Sequence, residues 1–258
     1  MTDPALRSDA MRAFAGCDIQ PRSLQGLFEQ LTAQLASGGR GNIVGHHNLH
    51  SLYLVHSNAT VAGFYRECCE CYIDGMGALW LLRAAGIDMQ NAHRFSLMDC
   101  LPEFLTLAEQ RGLRVFYFGG SATGVERARS WINDDWPNLA MALHHGYDAD
   151  NPALLAHINT FAPDMLLVGM GMPRQELWIM QHHSVLNAGV ILQAGGTLDY
   201  YSGLQARPPT AWSTMGLGWL YRLIHDPRRL WRRYLLTPWS LLPRLLRLRW
   251  ALAKQQSG

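Results

Sequence analysis

Lysine is almost missing from this chain: Lys254 is the only one among 22 basic residues, and the rest are arginines. Charge of either sign is scarce at 16%, against 48% hydrophobic residues, and the 24 Gly and 12 Pro are spread rather than clustered, so a disordered or low-complexity chain is excluded. No apolar run approaches the ~18 residues of a spanning helix, and the stretch MTDPALRSDAMRAF has neither a charged start nor an apolar signal-type segment. Neither secretion nor a membrane span is therefore expected. The cysteines, Cys17, Cys68, Cys69, Cys71 and Cys100, are odd in number. Cys68-Cys69-Glu70-Cys71 has no second pair to complete a tetrahedral zinc site, so reduced thiols in the cytosol are the expectation. At 258 residues the chain suits one large domain plus an appendage, or two small domains, and is too short for a multidomain scaffold.

What is present is unevenly placed. After residue 206 the chain holds ten of its basic residues and only one acid, Asp226, while the remainder carries an acidic excess. Arginine is the side chain whose planar fork matches phosphate oxygens bidentately, so a polyanion or phosphate-bearing partner is expected. The predicted division is a body over 1–206 and a basic appendage over 207–258.

Short apolar runs alternate with amphipathic stretches from about 41 to 195, which predicts β-α-β units and a parallel sheet. Strands are expected near 42–45, 71–73, 114–118, 139–143, 164–168 and 189–193, with helices such as 124–133, capped by Ser121 or Thr123, and 174–182, opened by Pro173. Ligands of open α/β sheets bind beyond the carboxyl ends of the strands. Four such ends are glycine-rich: Asp74-Gly75-Met76-Gly77, Gly119-Gly120-Ser121, Gly169-Met170-Gly171 and Gly195-Gly196-Thr197. Turns of this kind let backbone N–H groups approach an anion, and a nucleotide diphosphate fits them.

The residues that carry a family resemblance are Ile73-Asp74-Gly75-Met76-Gly77, Val115 to Gly120, Gly146-Tyr147-Asp148, Leu167 to Ile179, Gly195 to Asp199 with Gly203 and Arg207-Pro208, and Gly218 to Leu223 with Asp226 to Arg229 behind it. In this order they make the chain resemble the WecG/TagA/CpsF family of bacterial glycosyltransferases over roughly 40–235. The resemblance implies a Rossmann-like, mostly parallel sheet flanked by helices, with a C-terminal basic helical appendage. It implies an inverting, metal-independent transfer from a UDP-sugar to a sugar on undecaprenyl diphosphate, without cofactor or nucleic acid, by an enzyme peripheral on the anionic inner-membrane surface. Self-association stays open. Where the family has Thr-x-Asn, this chain has His46-His47-Asn48, and with the threonine replaced UDP-glucose is favoured over UDP-N-acetylmannosamine or its uronic acid.

Inverting transfer needs a base for the acceptor hydroxyl and a partner for the charge on the leaving diphosphate. Asp74, directly after a buried strand, is the expected base; its alternative is a helix cap. The resemblance places Gln175 and Arg94 in the catalytic group. His46, Asn48, Gly119, Gly120, Tyr147, Gly169, Gly171, Glu176, Gly196 and Asp199 are the expected substrate-binding set, with Arg207, Arg222, Arg228 and Arg229 from the basic segment. Asp148-Ala149-Asp150 has the D-x-D form of a manganese site, but no metal is expected. In the tail, Leu241, Leu245, Leu248 and Leu252 share a helical face opposite Arg244, Arg247 and Lys254, which suits an anionic bilayer or packing on the body. Pro243 is expected to delay or kink that helix. A dinucleotide oxidoreductase is disfavoured because the first β-α turn lacks G-x-G-x-x-G. A non-enzymatic membrane or RNA binder would leave the glycine-rich strand ends unexplained.

Overall fold

The computed structural model describes residues 4–254, without the side chains of residues 4–7, 210, 214 and 229. In chain order the elements are α1 (Pro4–Ala15), α2 (Leu24–Ala36), β1 (Asn42–His47), α3 (Leu49–Ser57), α4 (Ala59–Glu67), β2 (Cys68–Ile73), α5 (Met76–Ala84), α6 (Leu97–Gln110), β3 (Val115–Gly119) and α7 (Ala122–Asp135). They continue with β4 (Met141–His144), α8 (Pro152–Phe161), β5 (Met165–Gly169), α9 (Arg174–His182), β6 (Val190–Gln193) and α10 (Thr197–Tyr201). Four helices end the chain: α11 (Thr210–Thr214), α12 (Gly218–His225), α13 (Pro227–Trp231) and α14 (Thr237–Lys254). The strands form one six-stranded parallel sheet in the order β2-β1-β6-β5-β3-β4, the Rossmann-like α/β arrangement expected.

Contacts divide the chain into two units. The first comprises 1–23, 45–96 and 208–258; the second comprises 24–44 and 97–207. β1 is shared, because its first three residues pair with β6 (Asn42 with Val190 through Val44 with Leu192) while its last three belong with β2. The basic segment thus joins the unit built from the N-terminus and 45–96 rather than standing alone after residue 206.

In the second unit, β3 and β5 are apolar without alternation and wholly buried, as parallel strands covered on both faces must be. β4 is only partly buried. Side chains define the flanking helices: Ser121 accepts from Gly124 N–H at 3.0 Å to open α7. Asn151 caps α8 with Pro152 in its first turn, and Ala162 at φ 46° closes it. Phe28 of α2 meets Phe104 of α6 edge-on at 5.4 Å.

The core of the first unit gathers Met11 and Phe14 of α1, Leu52 of α3, Ile73 of β2, Leu79 and Leu82 of α5, and Leu241, Leu248 and Leu252 of α14, with Leu245 half-buried against it. The Leu face of the tail is therefore core, and the expectation that it meets a bilayer is corrected: four leucines at helical spacing found α1, α3 and α5. Nor does Pro243 delay the helix, since α14 starts at Thr237 and carries the proline inside. Further shifts are small. β1 runs on to His47, β2 starts at Cys68, β4 lies at Met141–His144, and Pro173 is the N-cap of α9 rather than its first residue.

Candidate active site

In the first unit the carboxyl ends of β1 and β2 bring three expected residues together. Parallel pairing continues past β2, because Asp74 N–H donates to His47 O at 2.8 Å. Asp74 is thereby held level with the end of β1, and its carboxylate lies 3.7 Å from His46 Nε2. The Asp74 side chain is 23% exposed, and that of His46 is 8% exposed. A helix cap is not its role, since α5 opens at Gly75, whose φ of 91° is a conformation natural to glycine. Gly77 has a steric reason: a Cβ there would sit 2.9 Å from Leu49 Cγ, so glycine lets α5 approach α3. A 3-10 turn at Asn91–His93 returns the chain so that Arg94 bridges to Ile73 and Phe95 N–H donates to Ile73 O at 3.1 Å. Arg94 thus stands beside the residue preceding Asp74. On the same side of the strands, Tyr72 stacks on Phe95 at 4.2 Å and meets His46 at 5.5 Å.

Asn48 has a structural task. Its Oδ1 accepts from His50 and Ser51 N–H at 2.9 and 3.1 Å while its own N–H donates to Ser51 Oγ at 2.8 Å, a reciprocal cap on α3. This rigid turn carries His50, whose pKa is lowered to about 4 by burial and then by the charge of Arg233. Arg233, in the π-helical turn Arg232–Leu236, therefore lies close enough to feel the β1–α3 turn. It was not among the arginines expected at the site. Arg222 is half-buried on α12, Arg228 is exposed on α13, and the side chain of Arg229 lies outside the described residues. The turn before α12 packs on α5, as a Cβ at Gly216 would stand 2.9 Å from both Met76 Cγ and Trp80 Cζ2.

In the second unit the glycines of the strand ends pack against one another. A Cβ on Gly119 would strike the backbone of Gly169, one on Gly169 would strike Tyr117 Oη, and one on Gly120 would lie 3.0 Å from Asp199 Oδ1. Gly146 N–H donates to Gly120 O at 2.9 Å, drawing the β4 turn onto the β3 turn. Tyr117 Oη donates to Gly195 O at 3.2 Å and accepts from Leu198 N–H at 3.3 Å, and burial pushes its pKa well above the ordinary phenol value, so it stays neutral. These contacts explain why side chains are excluded at Gly119 and Gly169. Asp199 accepts from Gln205 Nε2 at 3.2 Å, and α9 and α10 both open without a side-chain cap. Their first turns are instead satisfied locally, Gln175 N–H by Gly171 O at 3.1 Å and Asp199 N–H by Gly196 O at 3.2 Å.

Gln175 and Glu176 are fully buried. Gln175 Oε1 accepts from Gly195 N–H at 3.0 Å, and its Nε2 donates to Glu176 Oε1 at 3.1 Å; Gln193 Nε2 donates to the same oxygen. The pair clamps the β6–α10 turn, with Gly196 in it, to the start of α9. Gln175, which the resemblance places in the catalytic group, has its amide engaged in positioning this turn. Glu176, expected among the substrate-binding residues, is buried in this clamp, and Gln193 was missed because a polar residue ending an apolar strand gives no period to read. Tyr147 is 80% exposed, and Arg207 lies over the Tyr201 ring at 4.8 Å while donating to Asp99 O at 3.4 Å. Of the D-x-D pair, Asp148 groups with His144 and His145, at 3.7 and 3.2 Å, and Asp150 is not part of that group.

The sequence profile of the Glycosyl transferase WecG/TagA/CpsF family matches residues 12–255. Relatives include the N-acetylglucosaminyldiphosphoundecaprenol N-acetyl-beta-D-mannosaminyltransferases of Staphylococcus aureus strains MW2 and NCTC 8325, each 34% identical over 142 residues. That of strain MRSA252 is 33% identical over the same length. These alignments take in 55% of this chain and 56% of each relative, so the chain matches about half the length of the curated relatives. The profile, by contrast, runs over nearly the whole chain, from α1 through α14, and on that ground the protein belongs to the WecG/TagA/CpsF family of glycosyl transferases.

Proposed function

We propose that the protein transfers a sugar with inversion from a UDP-sugar to a sugar carried on undecaprenyl diphosphate. The observation that carries this reading is Asp74: a partly exposed carboxylate at a strand end, fixed through its backbone to β1 and set beside His46. It removes the acceptor hydroxyl's proton as the new glycosidic bond forms, while His46 and Arg94 hold the carboxylate and the reacting oxygens in place. The glycine turns at Gly119–Gly120, Gly169–Gly171 and Gly195–Gly196 receive the nucleotide diphosphate. For the donor, the relatives' names favour an N-acetylmannosaminyl group and an N-acetylglucosaminyl acceptor. The expectation of UDP-glucose, drawn from His46, has no support among them.

Membrane association is part of the same reading, through a different face than the leucines first indicated. No helix among the described residues is long and apolar enough to cross a membrane. Opposite the buried face of α14, however, Leu235, Trp239, Leu242, Leu246 and Trp250 recur at three- and four-residue spacing and are all exposed. Exposed Arg228, Arg232, Arg247, Arg249 and Lys254 accompany them. An apolar stripe with tryptophans and flanking cations suits the headgroup boundary of an anionic bilayer.

The test is Asp74→Asn with product analysis. Turnover should fall roughly a hundredfold or more while UDP binding and the melting temperature stay at wild-type values. Turnover within threefold of wild type, with glycosylated lipid confirmed, removes Asp74 from the chemistry.

A further inference from the structure

On the face of β1 opposite His46, a second group of reactive side chains is fully enclosed. Cys17 follows α1, His47 ends β1 and Cys71 lies on β2, and one ligand atom from each falls within 4.8 Å of the other two. They are 6%, 0% and 0% exposed. Cys17 Sγ is 3.3 Å from His47 Nε2. Zinc–sulfur and zinc–nitrogen bonds of about 2.3 and 2.0–2.1 Å at a tetrahedral angle put those ligand atoms about 3.6 Å apart, so the spacing is near that of a coordination edge.

The surroundings are those of a ligand set rather than of three stray core residues. His47 Nδ1 is 3.2 Å from Ser51 Oγ, which fixes the ring and turns Nε2 to the sulfurs, and the ring stacks on Tyr65 at 4.1 Å. Gly45, next to them on β1, keeps the space open: a Cβ there would stand 2.9 Å from Cys68 Sγ and 3.1 Å from Cys71 Sγ. Cys68, half-buried at the start of β2, is the neighbouring sulfur. Burial lowers the pKa of His47 to about 3, leaving the neutral imidazole a metal requires. The Cys17 thiol is raised by its hydrogen bond with Cys71 and by burial, and Cys71 is raised by burial, so without a metal both stay protonated.

We propose that Cys17, His47 and Cys71 hold one thiophilic divalent ion, zinc, in a structural site. Binding displaces the two thiol protons as two metal–sulfur bonds form, so affinity rises with pH. The ion would tie the segment after α1 to the two strands whose ends carry His46 and Asp74. Because His46 and His47 point to opposite faces of β1, it takes no part in catalysis. Of the motif Cys68-Cys69-Glu70-Cys71 only Cys71 enters the group, and Cys17 and His47 join it in space.

The test uses the full-length, tag-free chain grown with zinc and purified without chelator or added metal. Elemental analysis should find about one zinc per folded chain, against less than about a tenth in a Cys17→Ser/Cys71→Ser double variant. Chain grown with cobalt instead should show thiolate-to-metal charge transfer and intense visible bands of a tetrahedral site, a readout that does not depend on any variant folding. Cys69→Ser and Cys100→Ser should leave both signals unchanged. Wild-type chain without stoichiometric metal and without the cobalt spectrum overturns the proposal and leaves a thiol–imidazole hydrogen-bond cluster. A two-dalton mass loss marking a Cys17–Cys71 disulfide overturns it too. Full metal content in a folded double variant overturns it by assigning the ion elsewhere, His144, His145 and Asp148 being the other described group with the geometry.

Discussion

Replacing Trp239, Leu246 and Trp250 together by serine separates membrane docking from folding, because all three lie on the outward stripe of α14. They are 69%, 64% and 62% exposed, so about two thirds of each side chain remains to be removed from water. Burying a large apolar side chain fully is worth ~1.5–3 kcal/mol, hence roughly 1–2 kcal/mol each and roughly 3–6 kcal/mol for the three. Partition onto anionic vesicles should fall by roughly two to four orders of magnitude at about 1.4 kcal/mol per tenfold. The melting temperature and transfer to a water-soluble acceptor should stay near wild type. The companion is Leu241→Ala on the opposite face, 0% exposed, which should cost ~2–5 kcal/mol of stability and leave vesicle binding of the folded fraction unchanged. Co-sedimentation with sucrose-loaded anionic and neutral vesicles, alongside thermal melts, reads both quantities. If the triple variant sedimented with anionic vesicles as the wild type does, the stripe would have no part in attachment, and charge alone would have to supply it.

Gln175→Ala should cost ~1–3 kcal/mol of stability by leaving Gly195 N–H and the Glu176 carboxylate without it, and should weaken UDP binding more than it changes the acceptor's KM; calorimetry and initial rates would check the split. Stability should also fall with acid. In the metal-free chain the native pKa of His47, about 3, is below the ordinary 6.5, so below pH 6.5 the unfolded chain takes up a proton that the native chain refuses; this disfavours the fold by about 2 kcal/mol at pH 5, and His50 adds in the same direction. Denaturant midpoints that were level between pH 7 and 5 would contradict both burial shifts. Brief EDTA treatment should leave transfer intact, since the glycine turns of the strand ends are assigned the diphosphate; loss of activity restored by manganese would instead bring Asp148, His144 and His145 into the reaction.

The sheet was readable because its strands are apolar runs with no alternation, and the glycines at their ends mark where side chains are sterically barred. Asp74 and Arg94 were readable from family motifs, and the structure brings them to one strand end. The tail was harder for a physical reason. Its helix has two apolar stripes, Leu241–Leu248–Leu252 and Trp239–Leu246–Trp250, and periodicity alone does not say which one finds a partner. The choice is made by α1, α3 and α5, all far away in sequence. Cutting the chain at residue 236 would therefore open a core and not merely release an anchor. Gln193 and Arg233 escaped for the same reason: their significance lies in a neighbour from another segment, the Glu176 carboxylate in one case and His50 in the other.

The three-part make-up of the first unit also has a consequence during synthesis. Residues 24–44 and 97–207 are all translated before the basic tail, so the unit they form can assemble while the ribosome is still reading α11 to α14. The unit that carries Asp74 has no such freedom, since Leu248 and Leu252 reach its core only after α11 to α13 have been made. Its apolar surfaces on α1, α3 and α5 stay uncovered until then, which makes translation speed over the last segment, and chaperones that shield an emerging chain, determinants of the yield of active enzyme.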